Sequence, residues 1–220
     1  MLPSEAWRDL VGAGVPMTYR PGTVLLHQGD PGSHVLILLS GRVKALRDEA
    51  DGGQLLLAVR GPGEVLGEMA VLDGTTRSAT IIAIDRCAVR ALPGPDFMAR
   101  IRHHDLLGHV IHHVLSRLRE NEELRAELAR LPTARRLART LLRLNELLTT
   151  QAGRPAGLAL AQEELARAIG VSRSAVAAEL RVWRQAGLIG TARRQVTVRD
   201  VEALRRIANG SDDVSTSGQY

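Results

Sequence analysis

Cysteine and lysine are almost absent from this 220-residue sequence, which contains one of each, Cys87 and Lys44. A single cysteine cannot form an internal disulfide, and it cannot supply the four thiolates of an iron–sulfur cluster. Cys87 lies in the alternating segment IIAIDRCAVRAL, where a free thiol is expected to be buried as a packing residue. We therefore expect neither a disulfide framework nor a cysteine-ligated cluster.

Long apolar runs are also missing. The longest are five residues, as at residues 35–39, far below the roughly 20 apolar residues that a spanning helix needs. The first ten residues, MLPSEAWRDL, contain no basic stretch followed by an apolar block, so they do not resemble a secretory signal. These absences predict a cytoplasmic protein without a membrane partner.

The positive charge that the sequence does carry is concentrated in its last third. From Thr133 onward there are 14 arginines against 8 acidic residues, whereas the whole chain has a net charge of +5. The planar guanidinium of arginine donates hydrogen bonds in pairs and suits phosphates and base edges. An arginine-rich genome would explain the preference for arginine over lysine, but not this concentration, which favours a nucleic-acid partner.

Short β-prone runs broken by tight turns occupy residues 20–92. Turn signals occur at residues 29–32 and 40–41, between apolar runs. This pattern is typical of an antiparallel roll or barrel. Because the pattern changes after Pro95, we assign residues 1–95 to this domain.

Residues 96–131 are predicted to form one long helix. Apolar residues recur there at spacings of three and four between charged residues, which is close to a coiled-coil pattern. Pro132 is expected to end the helix, since proline disfavours helical geometry at Leu131 and has no N–H group. So narrow a seam predicts packing against a second copy of the chain. The seam consists of Leu107, Ile111, Val114, Leu118, Asn121, Leu124, Leu128 and Leu131.

Residues 132–208 are predicted to form a DNA-binding domain, followed by a disordered polar tail at 209–220. A helix-turn-helix spacing is present in the segment LAQEELARAIGVSRSAVAAELRVWRQAGLI. Ala166 provides the small residue where two helices touch, Gly170 the turn, and Val176 the apolar residue that docks the second helix. A helical hairpin with a solvated basic face is the alternative.

The second helix of this motif is expected to present its N-terminal end to the major groove. Ser172 would cap the helix, and an arginine directly after it suits the O6 and N7 acceptors of guanine. Phosphate contacts are assigned to the start of the first helix and to the basic tip of the following hairpin, residues 191–194. The predicted DNA-binding residues are Gln162, Ser172, Arg173, Ser174, Ala177, Arg193 and Arg194.

The segment GEMAVLDGTTRSA, residues 67–79, combines groups that suit a sugar phosphate. Gly67 allows close backbone approach beside the start of a short helix, where an anion is favoured. Arg77 offers a charge-assisted pair of hydrogen bonds, and Ser78 offers another donor. The carboxylate of Glu68 would repel phosphate, so we expect it to accept from a sugar hydroxyl. A phosphate beside a ribose hydroxyl describes a cyclic nucleotide; a structural ion pair between Arg77 and Glu68 without any ligand is the alternative.

With these motifs the chain resembles the CRP/FNR family of cyclic-nucleotide-binding transcription regulators over nearly its whole length. The resemblance rests on GDPGSHVLILLSGRVKAL, on GEMAVLDGTTRSA, on the long helix and on the helix-turn-helix. It implies an α+β fold with an N-terminal cyclic-nucleotide-binding β-roll, a long dimerisation helix and a C-terminal winged helix-turn-helix. It also implies a homodimer that is not an enzyme and that binds a pseudo-palindromic DNA operator and RNA polymerase.

The resemblance also assigns roles to single residues. Gly67 and Glu68 would hold the ribose, Arg77 and Ser78 the cyclic phosphate, and Asn121 and Glu122 the base, with base contacts from both subunits. Members that bind cAMP have hydroxyl residues at the two base-contacting positions, and Asn121 and Glu122 depart from that pattern. The base therefore stays open between adenine and guanine, and of cAMP and cGMP we favour cAMP. An effector of other chemistry, or DNA binding without a cyclic nucleotide, is the alternative. The predicted ligand-binding residues are Gly67, Glu68, Arg77, Ser78, Asn121 and Glu122.

The recognition helix both matches and departs from the family pattern. Arg173 matches the family's base-reading arginine, whereas Ser174 and Ala178 stand where a glutamate and a later arginine are usual. We therefore expect an operator that differs from the best-known family consensus.

Five histidines lie between His103 and His113 and raise the question of a metal site. His109 and His113 share one helical face at a spacing that zinc accepts, but no cysteine or carboxylate partner stands beside them. We therefore predict no metal site and no resident cofactor. A catalytic protein regulated by the roll is a rival hypothesis, but residues 133–220 contain no histidine, cysteine or phosphate loop.

Overall fold

The computed structural model describes residues 3–50, 53–152, 161–192 and 195–211. The chain divides into two compact units between Leu124 and Arg125. The second unit includes the end of the long helix, where Glu127 pairs with Arg139 and Arg143 of the following helix.

The N-terminal unit is built around two antiparallel four-stranded sheets, which confirms the predicted β-roll. One sheet has the strand order β1-β8-β3-β6 and the other β2-β7-β4-β5. A helix α1 (Ser4–Ala13), which was not predicted, precedes the strands, and a short helix α2 (Glu68–Asp73) interrupts them. The strands are β1 (Val15–Tyr19), β2 (Val24–Leu26), β3 (His34–Ser40), β4 (Val43–Asp48), β5 (Gln54–Arg60), β6 (Val65–Leu66), β7 (Thr80–Ala83) and β8 (Cys87–Pro93).

Strand β3 is buried on both faces, which explains its continuous apolar run. Leu36 and Leu38 pack into the cluster that contains the buried Cys87. Val35 and Ile37 point to the opposite face, since successive side chains of a strand alternate, and they pack in a second cluster with residues of α1.

The predicted helix 96–131 is divided in two. Helix α3 (Gly94–His103) and helix α4 (Leu107–Arg130) are separated by a turn in which Asp105 has a φ of +50°. At the turn Leu106 is buried with Phe97 and Ile101 against the roll. The prediction of one continuous helix was wrong because this burial depends on a tertiary contact, and the sequence has no proline at the break.

Helix α4 exposes a row of large apolar side chains. Leu107, Ile111, Leu115 and Leu118 are each 43–59% exposed. Their spacings of four, four and three residues place them along one face of the helix. Three belong to the predicted seam, and Leu115 adds to it.

The C-terminal unit has the winged helix-turn-helix arrangement that was predicted. Helices α6 and α7 are followed by a two-stranded antiparallel hairpin, and Trp183 is buried in the core. The carboxylate of Asp200 caps α8 by accepting from the backbone N–H of Ala203 at 2.9 Å. The elements are α5 (Thr133–Ala152), α6 (Gln162–Ile169), α7 (Arg173–Gln185), β9 (Ile189–Ala192), β10 (Gln195–Val198) and α8 (Val201–Asn209).

The predicted disordered tail begins within a helix. Helix α8 includes Asn209, so the first residue of the predicted disordered tail is helical, while residues 212–220 lie outside the described residues. No helix in the described ranges combines the length and apolarity that crossing a membrane would require.

Candidate ligand-binding and DNA-binding sites

A cleft in the N-terminal unit brings together most of the predicted ligand residues. It is partly open to solvent. Gly67, Glu68, Arg77, Ser78 and Asn121 line it, together with apolar residues that include Leu26, Leu57 and Ile81. Glu122, by contrast, is exposed on α4 and does not line this cleft.

Gly67 begins the cleft segment in a conformation that favours glycine. Its φ is +78°, in the left-handed region, and a Cβ at this position would collide with the guanidinium of Arg77. The absence of a side chain at Gly67 therefore makes room for the guanidinium of Arg77, which packs against the backbone of Gly67.

Arg77 is buried, with 4% of its surface exposed. Its Nη1 donates to the carbonyl oxygen of Gly67 and its Nη2 to that of His34. Burial lowers the pKa of Arg77, and the carboxylates of Glu68 and Asp30 oppose this effect. An arginine has five N–H donors, so the two backbone contacts hold the guanidinium in place and leave donors for an anion.

Glu68 is also buried, and it is the acidic group of the cleft. Its Oε1 lies 3.5 Å from Arg117 Nε and 3.5 Å from His113 Nε2. Burial alone would raise the pKa of Glu68, but the His113 side chain and the Arg117 charge outweigh it and hold the pKa below its usual value. Glu68 is therefore an ionised acceptor at neutral pH.

The ion pairs of Glu68 bear on the alternative of a purely structural Arg77–Glu68 pair. Among the described residues, the basic side chains with a nitrogen within 4 Å of the Glu68 carboxylate are Arg117 and His113, not Arg77. Its Oε1 atom nevertheless makes no hydrogen bond to any described residue. A buried carboxylate oxygen of this kind is suited to accept from a ligand hydroxyl.

Two arginines of the cleft, Arg60 and Arg117, were missed in the sequence analysis. Arg117 donates from Nη2 to Glu64 Oε2 at 2.9 Å and from Nε to His113 Nε2 at 2.9 Å. It lies four residues before Asn121, so the helical spacing could have placed it on the same face. Arg60, at the end of β5, carries no comparable signal, because only the pairing of the strands brings it to the cleft.

The helix-turn-helix has the geometry that its spacing predicted. Gly170 ends α6 with a φ of +63°, and Ala166 and Val176 are buried. Ser172 caps α7, since its Oγ accepts from the backbone N–H of Ala175 at 3.2 Å. The next residue, Arg173, is exposed at the first position of α7.

The other predicted DNA-binding residues are placed as follows. Ser174 is exposed and Ala177 is half-buried. Gln162, Arg173 and Thr191 line one recess, which joins the starts of α6 and α7 to strand β9. The predicted phosphate contacts Arg193 and Arg194, at the tip of the β9–β10 hairpin, lie outside the described residues.

Two of the five histidines, His104 and His113, lie beside charged side chains. Apart from its contact with Arg117, His113 faces Glu68, and His104 Nε2 lies 3.0 Å from Asp9 Oδ2. Within the described part of the chain, no group of three or more His, Cys, Asp or Glu side chains is arranged to hold a metal ion.

Comparisons with known proteins cover both units. Residues 16–104 match the family model of the cyclic nucleotide-binding domain, and residues 135–207 match that of the Crp-like helix-turn-helix domain. These two matches correspond to the unit with the cleft and the unit with the winged helix.

Three similar proteins extend the match over most of the chain. The cyclic AMP receptor protein of Thermus thermophilus is 32% identical over 193 residues, which are 87% of each chain. The CRP-like cAMP-activated global transcriptional regulator of Mycobacterium tuberculosis is 29% identical over 196 residues, 88% of each chain. A CRP-family transcriptional regulator of known crystal structure, also from Thermus thermophilus, is 27% identical in sequence. Its structure superposes with a TM-score of 0.73 over 88% of this chain and 96% of that chain.

Proposed function

The chain belongs to the CRP/FNR family of DNA-binding transcription regulators, and from this premise we propose that it is a homodimer controlled by a cyclic nucleotide, with cAMP preferred over cGMP. Full-length relatives are regulators rather than enzymes, and two of them are named for cAMP. We propose that this regulator acts in the cytoplasm on operator DNA and RNA polymerase.

The observation that carries the effector proposal is the pairing of an anion-binding and a hydroxyl-binding group in one cleft. Arg77 is held by two backbone carbonyls beside Ser78, and the ionised Glu68 has an oxygen without a hydrogen bond among the described residues. A cyclic nucleotide presents an anionic phosphodiester next to a ribose 2′-hydroxyl. Arg77 and Ser78 would donate to the phosphate, and Glu68 would accept from the hydroxyl.

The base would then lie toward helix α4, where Asn121 lines the cleft. The side-chain amide of Asn121 has both donors and an acceptor, so it can pair with a purine edge. Glu122 is exposed beside it, and in a homodimer it would contact the base bound by the other subunit. This arrangement would make each site depend on both copies of α4.

The exposed apolar row of α4 supports the homodimer. Leu107, Ile111, Leu115 and Leu118 present four large side chains on one helical face. Packing of this face against its symmetry mate would remove them from water, as in a two-stranded coiled coil. A two-fold dimer would place two copies of α7 on half-sites about one helical turn, roughly 34 Å, apart.

Calorimetry of the full chain with cAMP and cGMP tests the effector proposal. We expect saturable binding of one nucleotide per subunit, with cAMP bound more tightly. Absence of binding for both nucleotides would contradict cyclic-nucleotide control and would support the alternative of a CRP-family regulator with another effector or none.

A further inference from the structure

Besides Glu68 Oε1, the cleft contains a second buried polar atom without a hydrogen bond to any described residue, Nε of Arg60. Arg60 lines the cleft from the end of β5, and its side chain is only 16% exposed. Its Nε is buried and makes no hydrogen bond to any described residue. A buried N–H donor without a partner is costly, so a native structure that keeps one at a ligand site favours an acceptor supplied by the ligand.

A second contact fixes where the guanidinium of Arg60 lies. Its Nη2 donates to Glu120 Oε2 at 2.5 Å. Glu120 immediately precedes Asn121 on α4, so this ion pair anchors Arg60 at the end of the cleft that helix α4 lines. In the proposed orientation of the nucleotide, this end receives the base, while the phosphate lies at Arg77.

We propose that Arg60 reads the purine base, with its Nε–H donating to an acceptor on the base edge and Glu120 orienting the guanidinium. This inference rests on the proposed function and adds a base contact to the predicted pair Asn121 and Glu122. An arginine only donates, so it suits an edge atom such as N7 or O6 and disfavours an amino group. Adenine and guanine share N7, whereas guanine has O6 where adenine has an amino group, so Arg60 would donate to N7 of adenine and would reduce the preference for cAMP that other residues set.

The test compares ligands with and without a base on matched variants. Calorimetry would measure the full-length wild type, Arg60→Met and Arg60→Lys with cAMP, with cGMP and with a ribose 3′,5′-cyclic phosphate that has no base. Arg47→Met is the control, because Arg47 lies on the neighbouring strand β4, pairs with Glu49 and does not line the cleft. Thermal unfolding of each variant would report folding.

Arg60→Met is expected to lose affinity only for ligands that contain a base. Arg60→Met should bind cAMP about tenfold more weakly, as for the loss of one hydrogen bond to a charged group. It should also change the ratio of cAMP to cGMP affinity and bind the base-free ligand as the wild type does. Arg60→Lys should not restore cAMP affinity, since lysine has no group equivalent to Nε, and Arg47→Met should bind normally.

Four results would overturn the inference. Unchanged cAMP affinity in Arg60→Met would exclude the contact. An equal loss with the base-free ligand would assign Arg60 to the sugar phosphate or to folding, and full rescue by lysine would assign it a role as a charge only. A wild type that binds none of the ligands would refute the proposed effector and this inference together, whereas the first three results leave the proposed effector intact.

Discussion

The cleft of the N-terminal unit draws on residues far apart in the chain, whereas the helix-turn-helix of the C-terminal unit is formed by one continuous segment. In the cleft, Arg60 and Arg77 come from different strands or loops of the roll and Arg117 from α4. In the helix-turn-helix, the turn glycine, the capping serine and the residues predicted to contact bases all lie within residues 162–185. The first site buries its charged groups and the second exposes Arg173.

This difference predicts different consequences of mutation. A buried charged group in the cleft contributes to both folding and binding, because its removal leaves unsatisfied partners. An exposed side chain on α7 contributes to binding alone, because nothing in the fold depends on it. Mutations in the cleft should therefore change both stability and ligand binding, whereas mutations of exposed residues on α7 should change DNA binding alone.

The largest effect is expected for Arg77→Ala. It should abolish detectable cAMP binding and also lower the free energy of unfolding by about 1–3 kcal/mol, because the carbonyls of Gly67 and His34 lose their donors. Calorimetry and urea denaturation measure the two effects. A folded variant with wild-type affinity would reject the role of Arg77.

Leu118→Glu should disrupt the homodimer. Leu118 is 53% exposed within one chain, and a carboxylate facing its own symmetry mate would replace apolar contact by repulsion. Sedimentation velocity should show monomers for this variant and dimers for the wild type. Glu5→Ala, on the exposed part of α1, serves as the control, and a variant that stays dimeric would place the interface elsewhere.

Arg173→Ala should weaken operator binding by about 1–3 kcal/mol and relax the preference at one base position. The free energy of unfolding should stay unchanged, because the Arg173 side chain is exposed. Arg184→Ala, at the exposed opposite end of α7, is the matched control. Binding to a set of single-base operator variants separates the outcomes, and a uniform loss across all of them would mark Arg173 as a phosphate contact.

A smaller effect is expected from the titration of Glu68. Since its pKa in the folded protein is below the ordinary value of 4.5, ionised Glu68 stabilises the fold above about that pH. The stabilisation should fade as the pH falls through the lowered pKa. The difference in unfolding free energy between wild type and Glu68→Gln should therefore shrink as the pH falls below about 4.5. A difference that grew in that acidic range would contradict the assigned direction.

The smallest effect is expected at Cys87. Burial and the nearby Asp85 carboxylate raise the pKa of this thiol to about 11, so it is almost entirely protonated at pH 8. Iodoacetamide should leave the native protein unmodified and react after denaturation. Mass spectrometry measures this, and rapid modification of the native protein would show that Cys87 is accessible.

The same difference between the sites decided what the sequence could reveal. The helix-turn-helix was predicted because its turn glycine, capping serine and apolar spacing are local features, and so was the segment around Gly67 and Arg77. Arg60 was missed because β-strand pairing brings it to the cleft. The break between α3 and α4 was missed because it depends on the burial of Leu106 against the roll.

The most direct measurement is the affinity for an operator selected from random DNA, determined with and without saturating cAMP. Linkage between two sites typically amounts to 1–3 kcal/mol, so cAMP should tighten operator binding by about 5- to 150-fold. In Arg77→Ala the same titration should show no effect of cAMP. Equal operator affinity of the wild type with and without cAMP would contradict the account, even if cAMP occupied the cleft.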